Sequence, residues 1–109
     1  LGMQIQSEFK ANNALCQKVI HLFQLVANKS RFRIVCILAR GEFCVKEIAE
    51  IVGEGKVSNI SQQLKILTLA GVVDRRRDQK KIIYRLVDDR VRELIGYFRE
   101  RYLQPKCRR

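Results

Sequence analysis

The sequence predicts a mainly α-helical domain with one β-hairpin, in the order ααααββα. Three observations along the chain lead to this fold class. Apolar residues recur at helical spacing up to residue 71, the pattern becomes strand-like over 72–87, and helical spacing returns after Asp88. Length indicates the number of domains, because 109 residues are enough for one domain and no more. We therefore predict a single domain over 1–109, with flexible segments at 1–7 and 104–109.

Two helices are predicted before residue 40. The first covers 8–27, where Leu15, Val19 and Phe23 recur at helical spacing. The second follows Asn28, whose side chain suits an N-cap. It is apolar on nearly every side, so we expect it to be the central helix of the domain.

Two further helices are predicted over about 44–52 and from near Ser58 to Gly71. The segment 53–55, which contains two glycines, separates them. In the second of these helices the apolar residues recur at i, i+4 and i+7, which predicts one inward face and a polar outward face.

A hairpin and a last helix complete the predicted fold. Residues 72–77 and 80–87 are rich in Val, Ile and Tyr and predict two short strands. Asp88 suits the N-cap of the last helix, and Pro105 is expected to end it.

The chain is strongly basic, with 22 Lys and Arg against 11 Asp and Glu and a formal charge of +11. Such an excess favours a polyanionic partner, either nucleic acid or an anionic membrane surface. No apolar run approaches the ~18–20 residues of a membrane span, and no secretory signal is visible. We therefore expect a cytoplasmic protein without membrane association, whose four cysteines are mainly reduced.

The two helices around the glycine-containing turn, with the basic hairpin after them, form the pattern of a winged helix-turn-helix. In that motif the second helix enters the major groove of double-stranded DNA, and Ser, Asn and Gln side chains can bond to base edges. A solvated polar face and a solvated charge run are the ordinary alternatives for each feature taken alone. The predicted DNA-binding residues are Lys56, Ser58, Asn59, Ser61, Gln62, Gln63, Lys65, Arg75, Arg76, Arg77, Lys80 and Lys81.

The first and last helices carry more apolar surface than one small core needs. A two-fold homodimer would bury this surface and set two recognition helices about one DNA turn apart, ~34 Å. The predicted dimer-interface residues are Leu15, Val19, Phe23, Leu94, Ile95, Phe98 and Tyr102.

Over about residues 15–103 the chain resembles the ArsR/SmtB family of small dimeric winged-helix repressors. The resemblance rests on the segments ANKSRFRI (27–34), GEFCV (41–45), SNISQQL (58–64), LAGVV (69–73) and IYRL (83–86). It implies a protein that binds its operator as the apo or reduced dimer and is released when an inducer binds.

The metal-sensing sites of this family do not transfer to this chain. Its arsenic-type site is a Cys-Val-Cys run, but Lys46 follows Cys44 where the second thiol is required. Its zinc-type site uses Asp and His on the last helix. Here Asp88 is followed by Arg90 in the position of a His. We expect neither metal site and no cofactor.

The sequence is more similar to the thiol- and persulfide-sensing branch of the family, which includes HlyU and BigR. Cys36 matches the branch's cysteine in the second helix. The branch's second cysteine falls at Leu103 here, and Cys107 lies four residues later. The hypothesis is release from DNA by oxidation or persulfidation of Cys36 and Cys107. The alternative is that Cys36 is a small buried apolar residue.

Two other functions stay open at this point. Cys16, Cys44 and Cys107 could hold As(III) or another soft metal, since thiolates select such ions. A winged-helix module whose basic hairpin docks an acidic protein is a second alternative. No catalytic constellation is present in the sequence, so an enzyme is not expected.

Overall fold

The computed structural model describes residues 1–53 and 56–102. Within these ranges the chain forms six helices and a three-stranded antiparallel sheet, which agrees with the predicted fold class. None of the described helices is long and apolar enough to cross a membrane. The elements are α1 (Gly2–Ala11), α2 (Asn13–Val26), α3 (Lys29–Leu38), β1 (Phe43–Cys44), α4 (Val45–Val52), α5 (Val57–Leu69), β2 (Val73–Asp78), β3 (Lys81–Leu86) and α6 (Asp89–Arg101).

The N-terminal region differs from the prediction, because the single helix expected over 8–27 is two helices. They meet at Asn12, whose φ of −107° and ψ of 18° leave the helical region. Both its backbone N–H and its side-chain Nδ2 donate to the carbonyl of Glu8, at 3.0 and 2.9 Å. Asparagine competes in this way with the helical ladder, which accounts for the break. Helix α1 also includes most of 1–7, where no element was predicted.

Helix α3 lies at the centre of the domain, as predicted. Asn28 is its N-cap and accepts a 3.0 Å hydrogen bond from the backbone N–H of Arg31. The buried residues of α3 pack against the inward faces of α4, α5, the hairpin and α6. Ile95 of α6 belongs to this core and is only 2% exposed. Its prediction as a dimer contact is therefore wrong, since the protomer itself covers the side chain.

The helix-turn-helix consists of α4 and α5. Gly53 ends α4 with φ of +84°, in the left-handed region that glycine adopts without strain. Gly71 follows α5 with φ of +78° and directs the chain into β2. Three residues of α5, Ile60, Leu64 and Leu67, are buried as predicted and anchor this helix against α3 and α4.

The hairpin forms with strand ends one residue from the predicted ones, and its turn contains Gln79 at a positive φ of 60°. The sheet has the order β1-β3-β2, and its edge strand β1 was missed. Phe43 of that strand pairs with Tyr84, and Cys44 pairs with Ile83. Two residues are too few for any alternation to be visible in the sequence.

Helix α6 begins as predicted at the N-cap Asp88, whose side chain accepts from the backbone N–H groups of Arg90 and Val91. It ends at Arg101. Pro105, which was expected to end it, and the predicted tail at 104–109 lie outside the described residues.

Candidate nucleic-acid interface

Four polar side chains form one exposed face of α5. Ser58, Ser61, Gln62 and Lys65 are all exposed, and they follow the spacing i, i+3, i+4, i+7. The opposite face of the helix is anchored in the core, so this face points away from the protein. It holds hydroxyl and amide groups that can bond to base edges and one cation that can bond to phosphate.

The hairpin borders the same face of α5. A groove between the two is lined by the four exposed polar residues of α5 together with Thr68, Leu69, Arg75 and Tyr84. Arg75 therefore lies across the groove from α5, which is the second helix of the helix-turn-helix and thus the predicted recognition helix. An anionic backbone that follows α5 would meet this guanidinium as well.

The cations of the wing, which is the hairpin of β2 and β3, do not all lie on one face of the sheet. Side chains alternate along a strand, so Arg75 and Arg77 share the face of the buried Val73. Arg76 points to the opposite face, which we call the outer face of the wing. There Arg76 donates to the carboxylate of Glu42 near β1. This hydrogen bond, with the attraction between the charges, raises the pKa of Arg76 further.

A second ion pair lies on the same outer face, where Arg85 and Asp74 occupy paired positions with a 3.6 Å separation between nitrogen and oxygen. Lys80 and Lys81 are exposed at the tip of the hairpin. The outer face is thus partly neutralised, whereas the tip and the face towards α5 keep their positive charge.

Asn59 and Gln63 are placed differently from the other predicted DNA-binding residues of α5. Both are half-buried and bond to each other and to α3. The side chain of Asn59 donates to Ser30 Oγ at 3.2 Å, and Gln63 Oε1 accepts from Arg31 at 2.9 Å. Their polar groups are therefore engaged within the protein in this conformation.

Lys56, the N-cap of α5, is exposed and lines a cleft with Lys29, Ser30 and Arg33 of α3. Lys29 was not among the predicted DNA-binding residues, because it lies on α3, outside the helix-turn-helix and the hairpin. Its position beside Lys56 extends the positive surface from α5 to the beginning of α3.

The cysteines lie in different environments. Cys16 is exposed on α2, whereas Cys36 is half-buried on α3. Burial raises the pKa of the Cys36 thiol, and the positive charge of Arg99 on α6 acts in the opposite direction. Cys107 lies outside the described residues.

Cys44 is the N-cap of α4, and its backbone N–H donates to Glu47 Oε1 at 2.9 Å. This hydrogen bond lowers the pKa of Glu47. Within residues 1–53 and 56–102, no three His, Cys, Asp or Glu residues are grouped so that they could hold a metal ion.

The predicted dimer residues other than Ile95 lie at the surface or near it. The exposed fractions of Leu15, Val19, Phe23 and Tyr102 are 58%, 51%, 51% and 75%. Leu94 and Phe98 are half-buried. Helix α1, which was not predicted as a separate element, adds to this surface, since its Phe9 lines an apolar groove with Leu15, Val19 and Ile20 of α2.

The sequence and the structure are similar to known regulators. Residues 28–75 match the family described as bacterial regulatory protein, arsR family. A biofilm growth-associated repressor of Agrobacterium fabrum is 41% identical over 78 residues, which are 72% of this chain and 66% of that protein. The Xylella fastidiosa repressor of the same name is 36% identical over 79 residues, 72% of this chain and 68% of that protein.

Two solved structures extend the similarity to the fold. The transcriptional repressor BigR from Xylella fastidiosa superimposes with a TM-score of 0.78 at 28% identity, covering 92% of this chain and 98% of that one. The homodimeric winged helix-turn-helix domain of Mb0332 from Mycobacterium bovis superimposes with a TM-score of 0.70 at 29% identity, covering 82% of each chain. The fold is therefore a winged helix-turn-helix. The similar proteins are transcriptional regulators, which agrees with the expectation that this chain is not an enzyme. This chain belongs to the ArsR family of bacterial regulatory proteins.

Proposed function

We propose that this chain is a sequence-specific DNA-binding repressor that acts as a two-fold homodimer. The observation that carries the proposal is the exposed polar face of α5 beside the positively charged wing. Ser58, Ser61 and Gln62 would contact base edges, and Lys65 and Arg75 would contact the phosphates on either side. The repressor names of the similar proteins support the same function.

The remaining predicted contacts fall into three groups: exposed cations, one cation paired within the protein, and the half-buried Asn59 and Gln63, to which we assign no direct contact with DNA. Lys56, Arg77, Lys80 and Lys81 are exposed cations that would add phosphate contacts around the recognition helix. Arg76 is paired with Glu42 on the outer face of the wing, so we assign it no contact with DNA.

A second copy of this chain is the proposed occupant of the exposed apolar face. Leu15, Val19 and Phe23 recur along one side of α2, and each is about half exposed in the protomer. Such a stripe is costly in water and is stabilised when an identical stripe covers it. The homodimeric state of the Mycobacterium bovis domain supports this choice of partner.

DNA binding is tested with the reduced protein and two fluorescent duplexes, the promoter upstream of its own gene and a random sequence of equal length. Anisotropy titrations at 50 to 200 mM salt give both affinities. A specific repressor is expected to prefer the promoter by about a thousandfold or more. Equal affinity for both duplexes would refute sequence-specific binding and favour the interaction module that docks an acidic protein.

We further propose that Cys36 and Cys107 release the repressor when they are oxidised or persulfidated. The supporting observation is the place of Cys36, half-buried on α3, which packs directly against the recognition helix. Oxidation would join the two sulfur atoms, each thiol losing its proton. The two electrons would pass to an added disulfide reagent, which leaves as two thiols.

The thiol mechanism is tested with Cys36→Ser and Cys107→Ser, and Cys16→Ser is the matched control. Treatment with the disulfide reagent, and separately with a persulfide donor, should release wild type and the control from promoter DNA. It should leave the other two variants bound. Release of either variant would contradict the mechanism. If arsenite releases wild type but not Cys16→Ser or Cys44→Ser, the soft-metal alternative replaces it.

A further inference from the structure

We propose that Arg31 is a positioning residue that fixes the recognition helix α5 relative to the end of α2. This inference rests on the proposed function, since it concerns how two recognition helices are held for DNA. Nothing in the sequence pattern singled out Arg31, because its role depends on contacts with residues on two other helices.

The side chain of Arg31 bonds in two directions. Its Nε donates to the backbone carbonyl of Leu25 near the end of α2, at 2.7 Å. Its Nη1 donates to Oε1 of Gln63 on α5, at 2.9 Å. One partly buried guanidinium therefore connects α2 with the recognition helix.

A second route supports the same connection. Gln63 Nε2 donates to Asn59 Oδ1 at 3.4 Å, and Asn59 Nδ2 donates to Ser30 Oγ at 3.2 Å. Asn28 caps the same turn of α3 by accepting from the backbone N–H of Arg31. The first turn of α3 is thus bonded to α5 at two successive turns of the recognition helix.

This arrangement has a consequence for a dimer on DNA. The exposed apolar face of α2 is the proposed dimer contact, and α5 carries the proposed base contacts. The distance between the two recognition helices then depends on how rigidly α5 is joined to α2. Lysine keeps the charge at position 31 but lacks the planar fork that serves both acceptors.

The test uses the full chain with Arg31→Lys, Gln63→Met and the double variant. Arg90→Lys is the matched control, since its guanidinium bonds to Asp88 at the start of its own helix. Once footprinting has mapped the two half-sites, affinities are measured for the natural spacing, for spacings one base pair longer and shorter, and for random DNA. Thermal unfolding followed by circular dichroism checks that each variant is folded.

We expect Arg31→Lys to weaken binding at the natural spacing by about tenfold, a loss of the size that one charge-assisted hydrogen bond gives. Affinity for random DNA and the salt dependence should stay as in wild type, because the charge is retained. The preference for the natural spacing should shrink. Gln63→Met should have the same effect, and the double variant little more, because both changes break one connection.

Three outcomes would overturn the proposal. Equal losses on specific and random DNA, with a shallower salt dependence, would make Arg31 a phosphate contact. Fully additive losses in the double variant would show that Arg31 and Gln63 act separately, and unchanged spacing preference would remove the positioning role. If the wild-type protein binds promoter and random DNA equally, the proposed function itself is refuted. That result is distinct from the three outcomes above, which concern the variants.

Discussion

Arg75 and Arg76 are neighbours in the sequence with the same charge, yet they lie on opposite faces of the wing. Arg75 lines the groove beside α5, and Arg76 is bonded to Glu42 on the outer face. Each change, Arg75→Ala or Arg76→Ala, removes one positive charge from each protomer. We predict that only the first change weakens DNA binding appreciably.

The expected size follows from counterion release. Each phosphate contact contributes about 0.9 to the slope of log affinity against log salt, and a dimer has two copies of Arg75. The slope should therefore become shallower by about 1.8 in Arg75→Ala. Over a fourfold increase in salt, this variant should lose about tenfold less affinity than wild type does.

Anisotropy titrations of promoter DNA between 50 and 200 mM salt measure both slopes. Arg76→Ala should keep the wild-type slope, because its guanidinium faces Glu42 rather than the groove. Since the two variants have the same net charge, a difference in slope reports position and not overall charge. Equal slopes for the two variants would refute the assignment of the wing faces.

Three further predictions concern the dimer, specificity and stability. Val19→Asp places a charge on the proposed dimer face and should give a monomer in sedimentation velocity. The control Ile51→Asp, at an equally exposed apolar position on α4, should stay dimeric. A dimeric Val19→Asp variant would contradict the proposed interface. Gln62→Ala should lose about 1–3 kcal/mol of discrimination at one base pair with an unchanged salt slope, and uniform loss over all sequences would contradict a base contact. Burial raises the pKa of Asp88, but hydrogen bonds from Arg90 and Val91 lower it by more, so the folded-state pKa lies below that of an ordinary aspartate. The stabilisation from Asp88 is therefore present at neutral pH and is lost as pH falls through the folded-state pKa. In urea unfolding at fixed protein concentration, Asp88→Ala should cost about 1 kcal/mol at pH 7 and less once Asp88 is protonated, because the charged carboxylate caps the helix more strongly than the neutral form. Asp88→Asn should keep the cap without this pH dependence. An Asp88→Ala cost that is the same at pH 7 and in acid would contradict the assignment.

Local signals in the sequence were sufficient for most of the fold. The helical period, the caps Asn28 and Asp88, and the glycine after α4 each act within a few residues, and the structure contains each of them. These features depend on neighbouring residues alone, which is why a single sequence predicts them.

The elements that were missed depend on contacts that a local pattern does not contain. Strand β1 exists because Phe43 and Cys44 pair with a strand about forty residues later. The break at Asn12 depends on a side-chain hydrogen bond back to Glu8, in a segment without Pro or Gly. Ile95 was assigned to the dimer interface because its spacing fits the apolar stripe of α6, and only the tertiary packing places it in the core.

The recognition helix illustrates the same limit within one element. Asn59 and Gln63 follow Ser58 and Gln62 by one residue each, which is a rotation of about 100° around the helix axis. That rotation turns two polar side chains from the groove towards α3, where they bond to Ser30 and Arg31. Residue type does not distinguish Ser58 and Gln62 from Asn59 and Gln63, but DNA-binding measurements on their variants do. Loss of a base contact should alter preference at one base pair, whereas loss of a bond that holds the helix should weaken recognition at every position.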